Sequence, residues 1–185
     1  MGVILRQHNR FLLCCMLFAT VPTGSLASSS VSIYGGDVTF SGQVVSSGCS
    51  VSSESSNMIV QMEQVRSNQF SGNGSWASSI PFHITLKDCD TQISQSAGVM
   101  FNGVTDTHDP QVFSTHNGAD SAVGVGIGIF DSRGELVIPN TIPQLFSALQ
   151  DGNTRLDFVA KYRATRRTVS GGSANTQVWF AVIYP

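Results

Sequence analysis

Residues 178–184 read Val-Trp-Phe-Ala-Val-Ile-Tyr and are followed by Pro185, and this run constrains the fold more than any other stretch of the chain. β-branched and aromatic residues fill it, which marks a strand, and a strand this apolar needs a covered face and neighbours on both edges. With no residue after Pro185, the second neighbour is expected from earlier in the chain or from another molecule.

The other long apolar run lies at the opposite end. Residues 1–10 hold Arg6 and Arg10 and no acid, residues 11–21 are apolar apart from Thr20, and residues 22–27 end in Ser-Leu-Ala. Basic start, short apolar centre and small-residue end are the parts of a secretory signal peptide, and the centre falls well short of the ~20 residues a membrane-spanning helix requires. Cleavage is expected after Ala27. Without Arg6 and Arg10, ten basic residues become eight against twelve acidic ones, a net charge of −4. An acidic chain of this kind argues against nucleic acid as a partner. Cys14 and Cys15 leave with the leader, so Cys49 and Cys89 remain, and two cysteines in an exported chain make one disulfide most simply.

Charged residues make up 12% of the chain, about half the usual share of roughly 25%. Ser, Thr, Asn and Gln replace them, giving a weakly charged surface that tolerates close packing against copies of itself. Within residues 33–45, Tyr34, Gly36, Val38 and Phe40 fall on one face at a period of two. The Gly35-Gly36 pair weakens that stretch as an autonomous strand and suits it to lie close against another backbone.

Further strands are predicted over residues 58–62, 80–87, 98–104, 122–130, 135–138 and 156–163, separated by Gly-, Asn- and Ser-rich turns such as Ser71-Gly-Asn-Gly-Ser75. Residues 143–149 are predicted to form a turn of helix. Many short strands without a useful amphipathic helix point to an all-β sandwich in one domain. Gly124, Gly126 and Gly128 alternate with Val and Ile and precede no helix pattern, so they predict a strand whose glycine face admits a close neighbour rather than a phosphate loop.

No catalytic constellation emerges. His83, His108 and His116 lack the paired His or Cys spacing of a zinc site, and the turn-prone cluster Asp106, His108 and Asp109 offers one nitrogen and two carboxylates. The sequence holds no nucleophile elbow and no H-E-x-x-H motif. No enzyme, metal or cofactor role is assigned. Lys161, Arg163, Arg166 and Arg167 form the one basic cluster and are read as a solvated strand face followed by a basic turn, with docking of an acidic partner as the alternative.

Taken together, Gly35-Gly-Asp-Val-Thr-Phe-Ser-Gly-Gln-Val-Val45 before Cys49, then Phe82-His-Ile-Thr-Leu-Lys-Asp-Cys89, Phe158-Val-Ala-Lys-Tyr-Arg-Ala-Thr165 and the closing strand with penultimate Tyr184 resemble the pilins of the chaperone–usher pathway, type 1 fimbrial subunits in particular. The likeness spans nearly the whole mature chain. Residues 62–70 and 161–172 are most similar to the fimbrin-like minor subunits of type 1 clusters. A glycine fourteenth from the end is another family mark, and it falls on Gly172; the family usually closes on a polar residue where this chain has Pro185.

The resemblance implies an immunoglobulin-like sandwich that lacks its final strand. It implies a donor strand over residues 28–41, with Tyr34, Val38 and Phe40 as anchors and Gly36 where a side chain would obstruct approach, ahead of a pilin domain over residues 42–185. It further implies that Val178, Phe180, Val182, Tyr184 and Pro185 border the groove and chaperone-binding edge, with Gly172 preceding them. Both faces of that strand are apolar, so which one lines the groove stays open. The implied partners are a periplasmic chaperone, an outer-membrane usher and other fimbrial subunits. The implied destination is the surface fimbrium of a Gram-negative bacterium, where the chain would support adhesion as a structural subunit, or else regulate, anchor or terminate assembly; a tip adhesin would need a receptor domain as well.

Overall fold

The computed structural model of the chain describes residues 38–42, 47–115 and 118–185. The chain divides into two units after Gly42, and all the elements below lie in the second.

Among the described residues, nine strands form two antiparallel layers. β1 (Ser50–Val51), β2 (Trp76–Cys89), β4 (Phe113–Ser114), β5 (Val125–Phe130), β6 (Leu136–Val137) and β8 (Gly152–Ala164) make the larger sheet, in the order β1-β2-β8-β5-β4 with β6 also on β5. β3 (Ser96–Asn102), β7 (Ser147–Ala148) and β9 (Trp179–Ile183) make the smaller one, ordered β7-β3-β9. A short helix, α1 (Ser53–Ser56), follows β1, capped where the Ser52 hydroxyl accepts the Ser55 N–H. The predicted sandwich is present.

β2 and β8 form its spine, and their alternation sets the core. Even-numbered residues of β8 from Thr154 to Ala164 are buried, and Ile84 and Leu86 of β2 are fully enclosed. The register of β2 slips between Ala77 and Ile80 and again between Leu86 and Cys89, and Ser78 and Asp88 take left-handed φ values of 62° and 52° at those two bulges. Pro81 sits on the stretch of β2 that β1, paired only at Leu86 and Lys87, leaves unflanked, so its missing N–H breaks no ladder there.

A chain of rings joins the sheets: Phe82 stacks on Phe158 at 5.6 Å, Phe158 meets Phe101 edge-on at 5.1 Å, and Phe101 approaches Phe180 at 6.5 Å. Cys49 and Cys89 are joined by a disulfide at the edge of this core. The glycine ladder of β5 does what its pattern suggests, since a Cβ on Gly128 would lie 2.6 Å from the Trp76 ring and one on Gly126 would run into Val112.

Two expectations are corrected. Residues 143–149 form no helix; they run irregularly into β7, which pairs with β3. Lys161 and Arg163 are not simply solvated: Lys161 Nζ stands 4.3 Å over the Phe130 ring and the Arg163 guanidinium 4.7 Å over Trp76. Arg163 Nε also lies 2.7 Å from Asp109 Oδ2, an ion pair rather than a well-directed hydrogen bond.

Candidate functional site

β9 pairs with β3 from Gly98–Ile183 to Asn102–Trp179 and has no ladder on its other edge among the described residues. Its side chains separate by face. Val178, Phe180, Val182 and Tyr184 pack against the central core, while Trp179 points away and is 60% exposed. This settles which face looks inward. Yet all four inward residues are only half-buried, on a core whose centre is sealed. A β-branched and aromatic face left half-wet is a core missing its last cover.

A second segment is incomplete in the same way. Residues 58–62 were predicted as a strand, and their exposure does alternate: Met58, Val60 and Met62 are half-buried, Ile59 and Gln61 exposed. Met58 packs against the same cluster as β9, and Met62 and Val65 against the neighbouring one. The backbone is therefore extended with one face on the core. It nevertheless belongs to no ladder, and residues 58–65 make no hydrogen bond among the described residues. Backbone donors and acceptors of a core-packed extended segment need partners, and among the described residues this edge, like that of β9, has none.

One end of β9 is fastened. The Tyr184 hydroxyl donates to the Cys49 carbonyl at 3.2 Å, tying the strand to the disulfide and to the start of β1. Burial pushes the Tyr184 phenol above its ordinary pKa, which keeps it protonated and able to donate. Val51 and Phe82, which sequence reasoning did not single out, are further half-buried residues on this core.

The remaining predicted residues are distributed as follows. Gly172 lies outside β9, at φ +157°, where a Cβ would strike the Ser121–Ala122 backbone; its local role is close packing of two loops. Pro185 is exposed. Val38 is 77% exposed and Phe40 92%. Tyr34, Gly36 and the leader fall outside the described residues. The Asp106 carboxylate accepts the backbone N–H groups of His108 and Asp109 and the Thr165 hydroxyl, so it shapes a turn with its neighbours.

Comparison with known proteins agrees with this geometry. The fimbrial protein family matches residues 38–185. A fimbrin-like protein of Salmonella typhi is 36% identical over 156 residues, covering 84% of this chain and 88% of that one. Long polar fimbria protein A of Salmonella typhimurium is 39% identical over 176 residues, covering 94% and 98%. Among solved structures, an antigen and type I fimbria protein of Burkholderia pseudomallei is 32% identical, with a TM-score of 0.58 over 75% of this chain and 90% of that one. The P pilus rod subunit PapA, 19% identical, shares the fold with a TM-score of 0.64 over 75% of this chain and all of that one. The chain belongs to the fimbrial protein family, whose members are structural pilus subunits.

Proposed function

We propose that the chain is a structural fimbrial subunit that polymerises by donor-strand exchange, residues 28–41 of one copy filling the groove of the next. The observation that carries this reading is the pair of unladdered extended segments, residues 58–65 and β9, each half-buried with one face on the core. A strand added there would satisfy both backbones and cover Phe180 and Val182 in one step, which is β-strand addition.

Tyr34, Val38 and Phe40 supply a period-two apolar face for the purpose, and the exposure of Val38 and Phe40 leaves them available. At roughly 1.5 to 3 kcal/mol for each large apolar side chain buried, three anchors contribute about 5 to 9 kcal/mol before ordering costs. Gly36 would sit where close backbone approach leaves no room for a side chain. Before assembly the open groove needs a temporary strand, the role of a periplasmic chaperone, and an outer-membrane usher would exchange it for the next subunit's extension. The disulfide suits this exported route to the surface of a Gram-negative cell. The role is mechanical rather than catalytic.

A synthetic peptide of residues 28–42, added in excess to the mature chain, tests the reading by hydrogen exchange and by light scattering. The expected result is slowed exchange at residues 58–65 and 179–183 together with arrested polymer growth. Unchanged exchange at both segments would sink the proposal.

A further inference from the structure

The two ends of the sandwich differ in charge. β2 and β8 run its length, pairing Cys89 with Gly152 at one pole and Trp76 with Arg163 at the other. At the first pole stand Asp88, Asp90 and Asp151, all exposed. Asp151 Oδ1 accepts the Thr91 N–H at 2.8 Å, Asp90 Oδ1 the Gln92 N–H at 2.8 Å, and Asp88 Oδ2 the Ser50 hydroxyl at 3.0 Å. These donors are neutral, so three negative charges stand uncompensated. The cations nearby are engaged: Lys87 with Glu54 at 3.6 Å and Arg155 with Asp157 at 2.6 Å.

At the other pole Arg166 and Arg167 are exposed and have no acidic partner among the described residues. Arg163 is neutralised by Asp109, while Asp106, bonded to neutral donors only, and the exposed Asp120 of the adjoining loop keep their charges and offset Arg166 and Arg167 overall. That pole is therefore the more positive one.

The path of the chain gives this polarity a direction. Residues 47–51 enter the sandwich at the acidic pole, where Cys49 is bonded to Cys89 and Ser50 pairs with Lys87. In the donor-strand reading, the donor is joined in sequence to residues 47–51 and so to the acidic pole. An open fibre uses two different surfaces of each copy. If a donor approached its neighbour over the acidic pole, like charge would face like and that pole would be needed twice; approach over the basic pole brings opposite charges together.

We propose that the Asp88, Asp90 and Asp151 pole of each copy docks against the Arg166 and Arg167 pole of the next copy of this chain, steering and registering successive subunits. The inference rests on the donor-strand reading and adds a second, electrostatic contact to it. Exposed charges act mainly on encounter rate and are screened beyond about 8 Å at physiological ionic strength, so the contact belongs to low and moderate salt.

Polymer growth of the mature chain, followed by light scattering, is the test. Arg166→Glu with Arg167→Glu is expected to slow growth on the order of tenfold at low salt. Adding Asp88→Asn, Asp90→Asn and Asp151→Asn to that variant is expected to recover most of the loss, since Asn keeps the acceptor oxygens and removes the repulsion. All variants should converge at high salt. Wild-type growth by the glutamate variant, or no recovery on adding the asparagines, overturns the polar contact. Val38→Asp with Phe40→Asp separates the two readings: if this full-length variant polymerises normally, donor-strand exchange fails; if it is inert while growth of the parent ignores the charge changes, the polar contact alone fails.

Discussion

At the scale of the residue, Tyr184 shows how one polar group secures an unfinished edge. Its hydroxyl donates to the Cys49 carbonyl and so joins the groove strand to the segment leading into β1. Tyr184→Phe keeps the ring on the core and removes that bond, so domain stability is expected to fall by about 0.5 to 1.5 kcal/mol in urea unfolding. A pH dependence follows from the burial of the same side chain. Burial raises the folded-state pKa of Tyr184, and of Tyr162 likewise, above the unfolded value. The stability each contributes is full below the ordinary phenol range near 10 and is lost as pH rises through the folded pKa. The phenylalanine variant should therefore lose less stability between pH 9 and about 11.5 than the parent, with Tyr162 accounting for the remainder. An identical alkaline slope in both proteins would show that burial of the Tyr184 phenol contributes nothing to the pH dependence.

At the scale of the element, what was legible depended on whether the partner belonged to the same stretch of chain. The β5 glycine ladder was readable because alternation alone reveals a face without side chains, and Trp76 does pack on Gly128. The closing strand was readable from its branched and aromatic residues, but its inward face was not, because Trp179 and Ile183 are as apolar as Phe180 and Val182. Lys161 and Arg163 looked solvated because Phe130 and Trp76 reach them from other strands. Residues 58–62 carried the alternation of a strand without its ladder, since periodicity reports a covered face and says nothing about hydrogen-bonding edges. This yields a prediction for Ile59→Pro and Val60→Pro made separately. The segment has no internal ladder to lose, so either proline should change domain stability by only about 0.5 kcal/mol. Adjacent N–H groups of an extended chain point to opposite edges, so one of the two prolines should weaken binding of the residue 28–42 peptide about tenfold and the other should leave it unchanged. Equal effects in titration calorimetry would mean that residues 58–65 do not form the receiving edge.

At the scale of the whole molecule, the open groove leaves the domain short of stability, and the disulfide compensates. Val178, Phe180, Val182 and Tyr184 keep part of their surface in water, so the smaller sheet gains less from burial than a closed sandwich would. The Cys49–Cys89 bond spans 40 positions, and closing such a loop disfavours the unfolded chain by roughly 4 kcal/mol in the chain-entropy account. Native domains hold only about 5 to 15 kcal/mol in total, so this one bond decides whether the groove-open state persists. Reduction is expected to lower the urea midpoint by about 2 M, taking a slope near 2 kcal/mol per molar for a domain of this size. Filling the groove acts on the folded state and adds to the effect of the bond: the residue 28–42 peptide at 100 times its dissociation constant should return about 2.7 kcal/mol, a shift of more than 1 M, to oxidised and reduced protein alike. Urea titrations under the four combinations of reductant and peptide measure both effects. A peptide shift seen only in the oxidised protein would show that the disulfide builds the groove rather than merely holding the chain that contains it, and a midpoint indifferent to reduction would remove the bond from the account of stability.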